Sequence, residues 1–314
     1  MNEFQYQTPQ LWPDADSKNP TIAFVSEERA DFSILGFDDL PNKDMFLPSA
    51  AQVTARYRYT KSGERIDNIT DWGLKQFRAH YKSSPERGGG GAADGGGSRP
   101  DATSRGEASP HHHPSGGPPP RSGEDLVITK DAIFAYCYAV LHDPLYRETY
   151  ALNLKREFPR IPFYPDFAQW AAWGEALMAL HIGYENVDPW PVGRVETPAK
   201  RADGTQPKPV LKSLPEQGSV TIDADTQLTG IPPEAWTYRL GNRSAIDWVL
   251  DQHKEKKPRD PTIAAKFNTY RFADYKEAMI DLLARVVRVS VETAAITEAM
   301  QALGHPDGAS PRND

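Results

Sequence analysis

The side chains with the most evident chemical potential are arginines and lysines set among aromatic and amide residues. Between Arg56 and Arg87 eight basic residues stand against four acidic ones, and between Lys254 and Lys276 seven stand against three. A phosphate backbone attracts such local surpluses, although an ordinary solvated face has the same composition. Arg56, Arg58, Lys61, Lys155, Arg156 and Lys256 are candidates for holding phosphates. Tyr238, Asn242 and Arg243 are candidates for contact at or near base edges, because Gly241 turns the chain just ahead of a predicted helix amino terminus. A capped turn is the structural alternative for that trio.

Other chemistries fit less well. Asp251, Glu255 and Lys257 could hold Mg²⁺ and a water in a nuclease, but the pattern is degenerate and also describes a solvated helix end. His111, His112 and His113 lie in low-complexity sequence, where a metal site lacks fixed geometry. One cysteine, Cys137, cannot supply a Cys-rich zinc set and reads as a core thiol, and His181 reads as a core or edge histidine. No G-x-x-x-x-G-K-[ST] run cradles a triphosphate, and no polar-Pro-Pro-aromatic run holds a flipped base, since Glu234 follows Pro232 and Pro233. No nucleophile-elbow spacing occurs. The expectation is a chain that carries no cofactor or metal and is catalytically inert by itself.

The 314 residues suffice for one large domain or two small ones. A formal net charge of −7 repels a polyanion at long range, so nucleic-acid binding would have to rest on local patches. A lone cysteine suits a reducing cytoplasm. The polar amino terminus lacks a secretory pattern, and no apolar run reaches membrane-spanning length. Cytoplasmic localisation without a membrane partner is expected.

The elements that must position these residues follow from periodicity and punctuation. Ile22 to Val25 and Phe32 to Leu35 read as strands. Thr70 offers a cap to a helix carrying Trp72, Phe77 and Tyr81, and Thr129 to one carrying Ile133, Phe134, Cys137, Val140 and Leu141. Asp143 and Pro144 open a helix with Tyr146, Tyr150 and Leu154 on one side, its tyrosines serving the core. Asp166 caps a helix striped by Phe167, Trp170, Gly174, Leu177 and His181. Val210 to Leu228 suggests strands. Ser244 caps a helix that turns Trp248 and Val249 inward, and Asp274 to Met300 reads as a long helix. The predicted class is α+β, predominantly helical with small β-sheets. Residues 1–82 form a β-rich then helical part, 83–124 a disordered Gly/Pro-rich insertion, 125–304 a helical block with a β/helical end, and 305–314 a disordered tail.

Four blocks in order carry a resemblance. ITKDAIFAYCYAVLHDPLYRETYALNLKREFPRIPF from Ile128 to Phe163, with LHIGYE ending at Glu185, resembles the helical block of the C-terminal specificity region of Type ISP restriction-modification enzymes. NITDWGLKQFRAHY (Asn68 to Tyr81), WTYRLGNRSAIDWVLDQH (Trp236 to His253) and RVVRVSVETAAI (Arg285 to Ile296) resemble segments flanking that block. The Ser83 to Glu124 stretch departs as an insertion, and LPNKDMFLPSAAQ (Leu40 to Gln52) departs where an aromatic-rich run is expected. The resemblance implies site-specific recognition of double-stranded DNA in a phage-defence system. Its partners would be methyltransferase and helicase/nuclease domains on the same enzyme or a separate chain. A protein-interaction subunit docking on such chains, or a truncated remnant, is the alternative.

Overall fold

The computed structural model describes residues 10–14, 16–25, 31–39, 51–83, 128–202, 204–255, 262 and 270–304. The run Thr-Ile-Ala-Phe-Val forms β1 (Thr21–Val25), buried along its whole length. β-Branched and aromatic residues suit a pleated surface covered on both sides. It is the central strand of an antiparallel sheet, between β2 (Ser33–Phe37) and β3 (Gln52–Ala55). Ile22 and Phe24 face the main core with Ile34, while Ala23 and Val25 face a smaller cluster.

A two-stranded ribbon follows, β4 (Tyr57–Tyr59) paired with β5 (Arg65–Asp67). Thr70 Oγ1 then accepts the Gly73 amide (3.1 Å) at the start of α1 (Asp71–Ser83). This helix packs Leu74, Phe77 and Tyr81 on the main core and leaves Trp72 71% exposed. The expected insertion from residue 84 onward and the tail 305–314 lie outside the described residues.

Thr129 caps α2 (Lys130–His142), and Asp143 accepts the amides of Leu145 and Tyr146 (3.0 and 3.2 Å) to open α3 (Pro144–Thr149). The sequence predicts one helix through Leu154, but the backbone turns at Tyr150 (φ −104°, ψ 20°) and α4 (Ala151–Leu154) is a separate turn. The bend keeps both Tyr146 and Leu154 on the main core, with Tyr150 packed beside them. Cys137 sits at the edge of that core, partly exposed, and burial pushes its thiol up to about 12. α5 (Phe167–Ile182) starts at Asp166, which adopts φ 57° and accepts the Gln169 amide (3.1 Å). The five expected stripe residues of α5 are all buried. At Gly174 the helix lies so close to α2 that an added β-carbon would stand 1.8 Å from the Ala135 carbonyl oxygen.

The second antiparallel sheet runs β6 (Gly193–Glu196), β9 (Thr226–Thr229), β8 (Ser219–Asp223), β7 (Pro209–Leu214). The exposed β6 has no apolar alternation and escaped the sequence reading. Two short strands, β10 (Arg239–Leu240) and β11 (Arg243–Ser244), form a tight hairpin. They lead into α6 (Ala245–Gln252), where Ser244 Oγ accepts the Asp247 amide (3.1 Å). Val249 is buried and Trp248 only partly so. The long helix α7 (Lys276–Leu303) closes the fold and joins its two cores. Met279, Leu283, Val286 and Val287 belong to the core of the second sheet, whereas Met300 belongs to the core of β1, α2 and α5. Between them, Thr293 Oγ1 meets His181 Nε2 (3.0 Å), whose Nδ1 takes the Tyr138 hydroxyl (2.5 Å). His181 is thus a satisfied core histidine, held neutral by burial, which brings it down to about 3. No helix of the described residues is long and apolar enough to cross a membrane.

Candidate nucleic-acid interface

The β4–β5 ribbon presents a basic side chain on each face and its two tyrosines on one. Cross-strand partners share a face, so Arg58 pairs with Ile66 while Tyr57 and Tyr59 pair with Asp67 and Arg65. Arg58, Lys61 and Arg65 are exposed. The tip is ordered by its own bonds: Thr60 Oγ1 accepts the Glu64 amide (3.0 Å) and meets Ser62 Oγ (2.7 Å). Gly63, at φ 82°, supplies the left-handed residue that closes it. Arg65 lies 4.3 Å from the centre of the Tyr57 ring, which holds the guanidinium in place without neutralising it.

Arg56, expected to hold a phosphate, has a different role. It is 5% exposed, and its guanidinium donates to Asp131 (2.7 Å) and Asp67 (2.7 Å). Lys130 adds bonds to Asp67 (3.0 Å) and Asp71 (2.7 Å). Arg56 and then Lys130 hold the Asp67 carboxyl below its ordinary range. This network anchors the ribbon to the starts of α1 and α2, so the charge of Arg56 is spent inside the protein.

The β10–β11 hairpin is the second candidate. Gly241, at φ 66°, occupies the first central position of a two-residue turn, the place where a II′ hairpin requires glycine. Its amide donates to Ser33 Oγ (2.9 Å), which ties the hairpin to β2. Asn242 is exposed at the tip, with its carbonyl accepting from Arg239. Arg243 is partly exposed and gives Nη1 to Asp251 (2.7 Å), which also binds Lys254 (3.2 Å). Tyr238, expected beside these two at the surface, is instead buried and stacked on His181, with ring centroids 5.0 Å apart.

The remaining candidates are elsewhere. Lys155 is partly buried and Arg156 exposed at the end of α4, while Lys256 lies outside the described residues. Of the residues in the nuclease reading, Asp251 pairs with Arg243 and Lys254, and Glu255 accepts the Phe272 amide (2.9 Å). Lys257 and the triple histidine lie outside the described residues. Among the described residues no group of three or more His, Cys, Asp or Glu could hold a metal. Arg65 and Arg239 were missed by sequence reasoning. The Ser-Gly turn between two alternating runs, YRYT and ERID, was the signal that could have found Arg65.

A family model described as the Type ISP C-terminal specificity domain matches residues 1–282. The chain belongs to this family. This specificity domain is similar to part of DrdV, solved by cryo-EM in complex with DNA, at 44% identity and a TM-score of 0.76 over 95% of the chain. It also shares its fold with a nuclease-deletion mutant of the Type ISP enzyme LlaGI in complex with a DNA substrate mimic. There the identity is 22% and the TM-score 0.60 over 94% of the chain. The ATP-dependent Type ISP enzyme LlaBIII bound to DNA gives 18% and 0.62 over 94%. The specificity domain spans 26%, 22% and 17% of those three chains, respectively. No curated protein matches it.

Proposed function

We propose that this chain recognises a specific sequence in double-stranded DNA as the target-reading part of a Type ISP-like restriction-modification enzyme. In this reading it is catalytically inert alone and has no cofactor. Cleavage, translocation and methylation belong to nuclease, helicase and methyltransferase domains on the same polypeptide or a separate chain. The setting is phage defence in the cytoplasm. One observation carries the reading: a relative 44% identical, aligned over 95% of this chain, was solved in complex with DNA.

The geometry supplies the means. A two-stranded ribbon has the width of the major groove, and exposed Arg58, Lys61 and Arg65 on such a ribbon suit phosphates or base edges. Lys155, Arg156 and Lys256 remain proposed phosphate contacts. Asn242 and Arg243, at a rigid turn, are the proposed base readers. Arg56 and Tyr238 serve the framework instead.

The test is binding of labelled duplexes at moderate and raised salt. Affinity is expected to fall steeply with salt and to favour one motif over scrambled sequence. Equal affinity for all sequences removes the specificity reading, and no affinity at either salt removes DNA recognition altogether.

A further inference from the structure

Beside the start of α3, the last third of α7 and the β10–β11 hairpin, a cleft of about 520 Å³ opens. Arg147 of α3 stands in its wall, partly exposed. Two contacts fix this side chain: Nε donates to the Leu141 carbonyl oxygen (2.7 Å), and the guanidinium lies 5.6 Å from the centre of the Phe32 ring. Neither contact uses the terminal nitrogens Nη1 and Nη2, which meet no acceptor among the described residues. They are not sealed off either. Among the described residues the fully buried side-chain polar atoms without a partner are His142 Nε2, Trp170 Nε1, Trp236 Nε1 and the Tyr238 hydroxyl, so both terminal nitrogens of Arg147 can be reached from solvent.

The charge of Arg147 is also unpaired within the described residues. Arg56, Arg194, Arg201, Arg243 and Arg285 each hold a carboxylate, and Arg147 does not. Burial brings it down to about 10, which leaves it cationic at neutral pH. Asp143 acts on it through space, but that carboxylate accepts the amides of Leu145 and Tyr146 and the Tyr164 hydroxyl (3.0, 3.2 and 3.3 Å). A cation partly withdrawn from water without a counter-ion is costly. A guanidinium fork already held by one bond and one ring loses little freedom when it meets an oxyanion.

The neighbours of Arg147 indicate which anion. Arg239 and Gly241 belong to the hairpin assigned above to reading DNA, and they line the same cleft. A phosphate bound there would lie beside the base-reading side chains and fix their register on the duplex. Arg239 brings a second cation, and Gln301, exposed at the α7 edge, brings an amide donor. Asp31 and Glu298 line the cleft too, but both are exposed, so solvent and salt weaken their repulsion more than the attraction of the partly buried Arg147.

We propose that Arg147 holds one backbone phosphate of the target duplex through its two terminal nitrogens and thereby sets the register of the β10–β11 hairpin on the base pairs. The proposal rests on the DNA-recognition reading.

The test uses the 314-residue chain and replaces each phosphate of the preferred duplex in turn by an uncharged methylphosphonate. One position should weaken binding about ten- to a hundredfold, the range for hydrogen bonds to a charged group. Arg147→Gln should lose a similar factor on the natural duplex and lower the salt slope by about 0.9. At the sensitive position it should show no further loss, because the two changes then remove one and the same contact. Gln301→Glu and Gln301→Lys alter only an exposed side chain and serve if Arg147→Gln does not fold. The first should weaken and the second strengthen binding of the natural duplex, and both effects should shrink at the sensitive position. Sequence-selective binding in which the effects of Arg147→Gln and of every methylphosphonate are independent, or in which the two Gln301 variants bind equally, overturns the proposal and leaves DNA recognition intact. Inorganic phosphate that shifts the Arg147 Nε–H resonance without coupling at any duplex position would make this a free-anion site and overturn it as well. A chain that binds no duplex at all removes the recognition reading and this proposal with it.

Discussion

The Gly241 amide donates to the Ser33 hydroxyl at 2.9 Å across 208 residues of sequence, so the tip of the second hairpin is fixed to the first sheet. The side chain next to Gly241 is Asn242, the proposed base reader. Its position is therefore set by β2 and not by the two-residue turn alone. Ser33→Ala should cost about 1 kcal/mol of stability, measured by urea unfolding, and should narrow the gap between preferred and scrambled duplexes. Unchanged discrimination would show that the turn holds itself.

The ribbon arginines and lysine should act through charge. Arg58→Ala, Lys61→Ala and Arg65→Ala are each expected to reduce the slope of log affinity against log salt by about 0.9, with little change in sequence preference. A slope that stays at the wild-type value assigns that side chain away from phosphate.

Arg56 should behave differently because its guanidinium already serves Asp67 and Asp131. Arg56→Met should lower stability by about 1.5–3 kcal/mol, the range for bonds to charged groups, while keeping the salt slope of the correctly folded protein. Calorimetric melting and the same salt titration separate the two effects.

At the β10–β11 tip, Asn242→Ala should cost about 1–3 kcal/mol of discrimination at one base pair, as for an amide reading a base edge. Arg243→Ala should show a comparable loss at a neighbouring pair and also loosen Asp251 at the end of α6. A panel of singly substituted duplexes checks both. A uniform drop across the panel would reassign either residue to the backbone.

Stability should fall in mild acid. Burial keeps His181 near 3 and His142 well below its ordinary value, while both histidines take up protons near the usual pH of about 6.5 when the chain unfolds. The unfolded state therefore binds more protons below that pH, and the stability present above it is lost as pH falls toward 3. Urea midpoints at pH values between about 7.5 and 5 should decline, less so in His181→Gln. A flat profile in the parent protein would mean that these rings are accessible to protons in the fold.

Local signals in the sequence were dependable where one side chain answers one backbone group. Thr70, Thr129, Asp143, Asp166 and Ser244 each accept an amide at the start of the expected helix, because capping is settled within three or four residues. The stripe on α5 was legible for the same reason. The break at Tyr150 was not, since it depends on where the main core lies relative to Leu154.

The sequence by itself thus determined the helices, their caps, the short strands around Phe24, Ile34 and Ile222, and the ordered blocks that mark the family. Only the tertiary structure decided which basic residues remain available. Arg56 and Arg58 differ by two positions in the chain, yet one is 5% exposed between two carboxylates and the other is open to solvent. Charge composition is a local property, whereas the carboxylate that cancels a charge can arrive from 75 residues away, as Asp131 does for Arg56. Pairing and burial come into being only when distant segments meet.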